Sequence, residues 1–237
     1  MERSPDTAPH SSRRNNLLLA VAAGGLLVGT LAACTTDPRN TTPGEHGYPI
    51  HHSITTTVFW VGEEGSPDNR GIHNRSSTWI EDWQGAYGGV DDPKSRCGFL
   101  PCGFKPKENP FYFALPYNDL NEDCTPKPSR KHVSWYTAPP PTGNSVVKNQ
   151  WIKITFGDKT AYAQWEDAGP FGEDDANYVF GSVEPQADAG LDISPATATY
   201  LGLDGKEKTS WQFIPEKAVP EGPWRETITK SPAGCAE

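Results

Sequence analysis

Short runs in which β-branched and aromatic residues alternate with polar ones recur along the chain, each bounded by Gly, Pro, Asn or Asp. The pattern predicts strands at residues 54–61, 111–115, 150–156 and 160–166, with Gly157-Asp158 as the turn of a hairpin between the last two. A further strand is expected around the segment TSWQFI ending at Ile214. One helix carries a full set of signals: Ser194 as N-cap, Pro195 at the first helical position, Ala196 through Leu201, and Gly202 as the stop. Helical periodicity is otherwise scarce, and 23 Pro and 23 Gly interrupt the chain. The body is therefore expected to be a small, mainly β barrel carrying long loops at residues 62–109 and 117–149.

The first 33 residues break this pattern. Arg13 and Arg14 precede an uncharged run from Leu17 to Ala33, followed by Leu31-Ala32-Ala33-Cys34. Basic region, apolar core and small-residue cleavage site in that order are the marks of an export signal. The last four residues match the bacterial lipobox, which makes Cys34 the expected lipidation site. An uncleaved membrane helix is the rival, but the run is short for a span of roughly 20 residues. Ser12-Arg13-Arg14-Asn15-Asn16-Leu17-Leu18 is similar to a twin-arginine signal, so export through either the Sec or the twin-arginine route is expected. The organisation read from the chain is a signal peptide at 1–33, a polar tether at 34–53 and a barrel domain at 54–237. The place expected for the protein is the cell envelope, outside the cytoplasm, with the membrane as a partner through lipid.

Composition then narrows the partners. Residues 1–33 hold three of the 21 basic and two of the 30 acidic residues, so the remainder keeps an acidic excess of ten. Without clustered Lys and Arg, nucleic acid is not an expected partner. Setting Cys34 aside leaves Cys97, Cys102, Cys124 and Cys235, an even number in an exported chain, which reads as two disulfides with three pairings open. A zinc site is the alternative reading of the same four. Glu173, Asp174 and Asp175 lack the spacing of a calcium loop and read as a solvated acidic turn. His51 and His52 fall in the tether and His73 and His132 in the loops without ligand spacing, so neither metal nor other cofactor is expected.

From Trp151 onward the chain resembles the double-psi β-barrel of rare lipoprotein A, expansins and family 45 endoglucanases. Asp167-Ala168-Gly169-Pro170-Phe171, then Leu191-Asp192-Ile193-Ser194 and a short helix ending at Leu201-Gly202, follow the order of Asp-Arg-Gly-Pro-Phe, Ile-Asp-Leu-Ser and a helix ending at Leu-Gly in rare lipoprotein A. Ala114-Leu115-Pro116-Tyr117 is similar to that family's Thr-Leu-Pro-Phe segment. The resemblance implies a six-stranded double-psi barrel with one or two short helices. It also implies that Asp192 is a proton donor or an otherwise essential acid, and that Asp167 is a second important acid. Glycoside cleavage needs such groups, because a proton must reach the leaving oxygen.

The chain departs from the family in two places. Tyr112 stands where transglycosylases of the rare lipoprotein A type carry His, and Val61 stands where the endoglucanases place a second Asp, with Glu63 two residues on. Tyr112 and Glu63 are thus the candidates for a second catalytic partner. Eight Trp suggest stacking on sugar rings. Trp79 and Trp83 with Tyr87 are expected as an exposed platform, and Tyr117 as a further glycan contact. Most of the other Trp are expected in the core. The reading is an envelope lipoprotein that binds a cell-wall polysaccharide, peptidoglycan or β-glucan, and cleaves it as a lytic transglycosylase or glycanase. The alternatives are a non-catalytic, expansin-like wall-binding or wall-loosening module, and an envelope scaffold.

Overall fold

A computed structural model describes residues 49–67, 69–136 and 143–231. Cys34, Cys235, the expected signal and the expected tether up to residue 48 lie outside these residues. Six strands close into a barrel in the order β1-β7-β4-β6-β5-β8. They are β1 (Ile50–Val58), β4 (Tyr112–Leu115), β5 (Trp151–Phe156), β6 (Lys159–Ala168), β7 (Leu191–Ile193) and β8 (Glu207–Ile214). β2 (Arg96–Cys97) and β3 (Leu100–Pro101) form a separate small hairpin inside the long segment between β1 and β4. β1 runs parallel to β7 and β4 parallel to β6, while the other four pairs are antiparallel. This mixed closed barrel, with its long insertions and few short helices, is the double-psi architecture expected from the sequence.

The strands form where the pattern places them, with shifted ends. Phe156 pairs with Lys159, leaving Gly157-Asp158 as a two-residue turn with Gly157 at φ 58°. β1 begins at Ile50, inside the stretch expected as tether, and ends at Val58 rather than at residue 61. The reason is His51, which is buried and stacked on Trp211 of β8 at 4.0 Å between ring centroids. Burial holds this imidazole neutral, with a pKa lowered to about 3. A polar-looking start thus belongs to the barrel.

Inward residues of the strands make one aromatic core. Phe113, Trp165 and Phe213 are stacked at centroid distances of 5.7 and 5.8 Å, with Ile152, Ile154, Leu191 and Ile193 around them. α3 (Pro195–Leu201) forms as its signals dictate: Ser194 Oγ accepts the Thr197 N–H at 3.2 Å and Gly202 closes the helix at φ 77°. Two helices carried no clear sequence signal, α1 (Trp83–Tyr87) and α2 (Ala176–Val179).

Buried charges order the long insertions. Asp119 accepts from Ser145 Oγ at 2.6 Å and the Val146 N–H at 2.9 Å and pairs with Arg130 at 2.8 Å, closing the 117–149 loop on itself. Lys148 pairs with Glu166 at 2.8 Å and also reaches Ser231 at 2.9 Å. Cys97 and Cys102 are joined by a disulfide across the β2–β3 hairpin, which removes the two pairings that would separate them. Cys124 is also disulfide-bonded. No helix among the described residues is long and apolar enough to cross a membrane.

Candidate functional site

The strand register assembles the site. Thr57 of β1 lies opposite Asp192 of β7, Asp192 opposite Ala114 of β4, and Ala114 opposite Asp167 of β6. One row across four adjacent strands therefore reads Thr57, Asp192, Ala114, Asp167. Strands are spaced about 4.8 Å apart, so the two acids sit about 9–10 Å apart at Cα with a methyl group between them. A bulge between Phe113 and Ala114 in the β4–β6 pairing brings Asp167, rather than Glu166, opposite Ala114. Without it Asp167 would leave the row, and the buried Glu166 that pairs with Lys148 would take its place.

Both acids open onto a groove of about 790 Å³. Asp167 is buried, and its Oδ1 accepts the N–H groups of Thr78 at 2.7 Å and Ala168 at 2.8 Å. Asp192 is partly buried, and its Oδ1 accepts the Thr57 hydroxyl. Thr78 also gives Asp167 a side-chain hydrogen bond. Gly169 follows β6, and a Cβ at that position would sit 3.8 Å from Asp192 Oδ2. A side chain there would touch that oxygen only at ordinary van der Waals distance.

Burial is the main reason both carboxyls hold their protons to unusually high pH. Asp167 is pushed up to about 6, against the opposing pull of its hydrogen bonds from Thr78 and Ala168. Asp192 is pushed up to about 7, again mainly by burial, with Thr57 opposing and the charges of Glu63 and Asp167 adding to the rise. Glu63 is itself buried in the groove wall, accepts from Asn74 Nδ2 at 2.9 Å, and is raised chiefly by desolvation. Carboxyls that titrate near neutrality in an open cleft can give and take protons under physiological conditions. Among the described residues, no three His, Cys, Asp or Glu side chains are grouped as a metal site.

The structure brings Asp167, Asp192 and Glu63 into one groove, but it does not bring Tyr112 there. Tyr112 is fully buried; its hydroxyl donates to Asp91 Oδ2 and accepts the Val61 N–H, both at 3.0 Å. Burial and the Asp91 charge hold its pKa well above 10.0. It is a strut under the 59–63 wall.

The exposed aromatic platform is also corrected. Trp79, Trp83 and Tyr87 are buried, with Trp79 donating to Asn118 Oδ1 and Trp83 to Glu108 Oε2, each at 3.1 Å. Trp83 and Tyr87, four apart on α1, share the face that packs on Tyr112. Tyr117 is likewise buried, edge-on to Phe180 at 4.9 Å.

Sequence reasoning missed the aromatics that do line the groove, Phe59, Trp60 and Phe171. Phe171 is 38% exposed, and Arg70 lies 4.0 Å above its ring. Phe171 follows Pro170 in the Gly-Pro turn beside Asp167, and that turn was the available signal. The lining also includes the uncharged polar side chains of Thr57, Asn69, Asn74 and Thr78. No family model matches the chain, and no curated protein matches it.

Proposed function

We propose that this chain is an exported lipoprotein, anchored through Cys34 and held in the cell envelope, whose barrel groove binds a cell-wall glycan strand and cleaves it. The observation that carries the reading is the pair Asp192 and Asp167. The two lie on one register row, each accepts hydrogen bonds at Oδ1 and lines an open groove, and both are shifted toward neutral pH by burial. A groove of about 790 Å³ with Trp60 and Phe171 in its wall suits a few sugar rings, whose apolar faces stack on aromatics while hydroxyls meet the Thr and Asn side chains.

In this reading protonated Asp192 donates its proton to the glycosidic oxygen as the bond to the anomeric carbon breaks. Asp167, ionised at lower pH than Asp192, stabilises the positive charge that develops on the ring. The anomeric carbon is then attacked either by water or by the sugar's own hydroxyl, and the proton released returns to a carboxylate. The second reading, an expansin-like module that holds glycan without cleaving it, is favoured by one observation: Asp167 Oδ1 caps two backbone N–H groups and so also has a purely structural use.

The test incubates the protein with purified peptidoglycan and with β-glucans and identifies products by mass spectrometry, beside Asp167→Asn and Asp192→Asn. Anhydro-sugar products lost in Asp192→Asn mark a lytic transglycosylase, and reducing-end products mark a hydrolase. No products, with retention on insoluble glycan intact, sinks cleavage and leaves the binding module. Absence of both products and retention sinks the glycan reading.

A further inference from the structure

The groove has a marked charge imbalance. Four carboxyl side chains line it, Glu63, Asp167, Glu173 and Asp192, against one cation, Arg70. Arg70 does not neutralise them: it lies over the Phe171 ring, and its only ion pair among the described residues is at 3.8 Å with the exposed Asp188. The donors to the four acids are neutral, Asn74 to Glu63, Asn118 to Glu173, the Thr78 and Ala168 N–H groups to Asp167 and the Thr57 hydroxyl to Asp192, and none of the four pairs with a cationic side chain among the described residues. Lys127 reaches Asp174 and the backbone oxygen of Glu173, not the Glu173 carboxylate. Asp167 is buried, lines the groove and accepts only neutral donors, from Thr78 and Ala168.

A sugar bearing a carboxylate, such as a lactyl ether or a uronic acid, would place a like charge a few ångströms from these groups in a site partly shielded from water. Charge pairs count for more there than at an open surface. A sugar bearing a free amine would meet an uncompensated row of acceptors instead.

Resting on the glycan reading above, we infer that the groove selects amino sugars with a free, protonated amine, that is, de-N-acetylated stretches of a glycan, over acetylated or carboxylated ones. The preference follows from where the acids sit. Asp192 and Asp167 lie on one register row, while Glu63 and Glu173 come from the segments after β1 and after β6, so carboxyl groups enter the groove from separate elements. Binding such a ligand draws Asp167 and Asp192 toward their ionised forms and weakens again once the amine itself loses its proton, so affinity passes through a maximum near neutral pH. Cleavage needs Asp192 protonated and is lost as pH climbs past about 7.

The experiment titrates the full chain, purified in detergent, with β-1,4-linked glucosamine oligomers, their N-acetylated counterparts of equal length, and spermine, following heat on mixing at low and high salt. The expected result is affinity for the glucosamine oligomer at least about tenfold above the acetylated one at low salt. The gap should narrow at high salt and shrink in Glu63→Gln and Glu173→Gln. Equal affinity for the two oligomers overturns the inference and leaves glycan binding standing. Spermine bound as tightly as the glucosamine oligomer overturns it too, because the groove would then read charge without sugar. Binding of none of the three to a folded protein removes both the inference and the glycan reading.

Discussion

Replacing Asp192 with Asn should stabilise the protein, and by an amount that grows with pH. Unfolded, this carboxyl titrates near 3.8; in the barrel burial pushes it up to about 7. The folded state therefore binds the proton more tightly than the unfolded chain, and stability falls as pH rises between those two values. A shift of roughly three units corresponds to about 4 kcal/mol at full ionisation, of which about 2.5 kcal/mol falls between pH 5 and pH 8. The side chain touches groove water, so screening reduces the observable part to about 1–2 kcal/mol. Asn keeps an oxygen to accept the Thr57 hydroxyl and carries no charge, so the variant lacks this loss. The assay is urea unfolding of wild type and Asp192→Asn at several pH values, read as the difference in unfolding free energy. That difference should favour the variant and widen by about 1–2 kcal/mol from pH 5 to pH 8. A difference that stays flat, or a variant less stable at pH 8, would refute the claim that Asp192 is held in the barrel against the cost of its own ionisation.

Three further outcomes follow from the same geometry. Tyr112→Phe should cost about 1–3 kcal/mol in thermal unfolding, since Asp91 loses a donor and the Val61 N–H its acceptor, while the pH profile of any glycan cleavage keeps its shape because the phenol is not in the groove. Trp83→Ala should cost about 3–5 kcal/mol of stability, whereas Trp60→Ala should leave the fold largely intact and weaken retention on insoluble glycan; a Trp83 variant that unfolds normally yet loses glycan would contradict the buried placement. Initial rates against pH should trace a narrow bell, with the acid limb near 6 from Asp167 and the alkaline limb near 7 from Asp192. A profile flat across this range would remove Asp192 as the proton donor.

The fold was largely legible in the chain because its signals are local. The Gly157-Asp158 turn, the Ser194 cap and the alternation through β5 and β6 each act over a few residues, and the barrel uses them as they stand. The start of β1 was not legible. His51 looks like tether until Trp211, far along the chain, supplies the ring on which it stacks. The two acids could be read from their motifs, which the fold puts next to the end of β6 for Asp167 and within β7 for Asp192. The aromatic platform could not, because Trp and Tyr serve a core and a sugar site equally well, and only the facing surface decides. Trp83 and Tyr87 meet Tyr112 and Glu108, so they are core. Trp60 and Phe171 flank the groove instead.

What separates Asp167 from Asp192 is therefore not residue type but the side of Ala114 on which each lies. On the β6 side, Asp167 receives two backbone N–H groups, which oppose the effect of burial and hold its pKa to about 6. On the β7 side, Asp192 receives only a hydroxyl and feels the charges of Glu63 and Asp167, so it keeps its proton to about 7. Environment alone thus divides two identical side chains into an earlier base and a later acid, with a methyl group and about two strand spacings between them. The bulge between Phe113 and Ala114 is what makes the division possible. It brings the carboxyl with backbone donors into the row and leaves Glu166 to its ion pair with Lys148. Replacing Glu166 alone would strand the buried Lys148 ammonium, so the register, the ion pair beneath it and the protonation of the groove are parts of one construction.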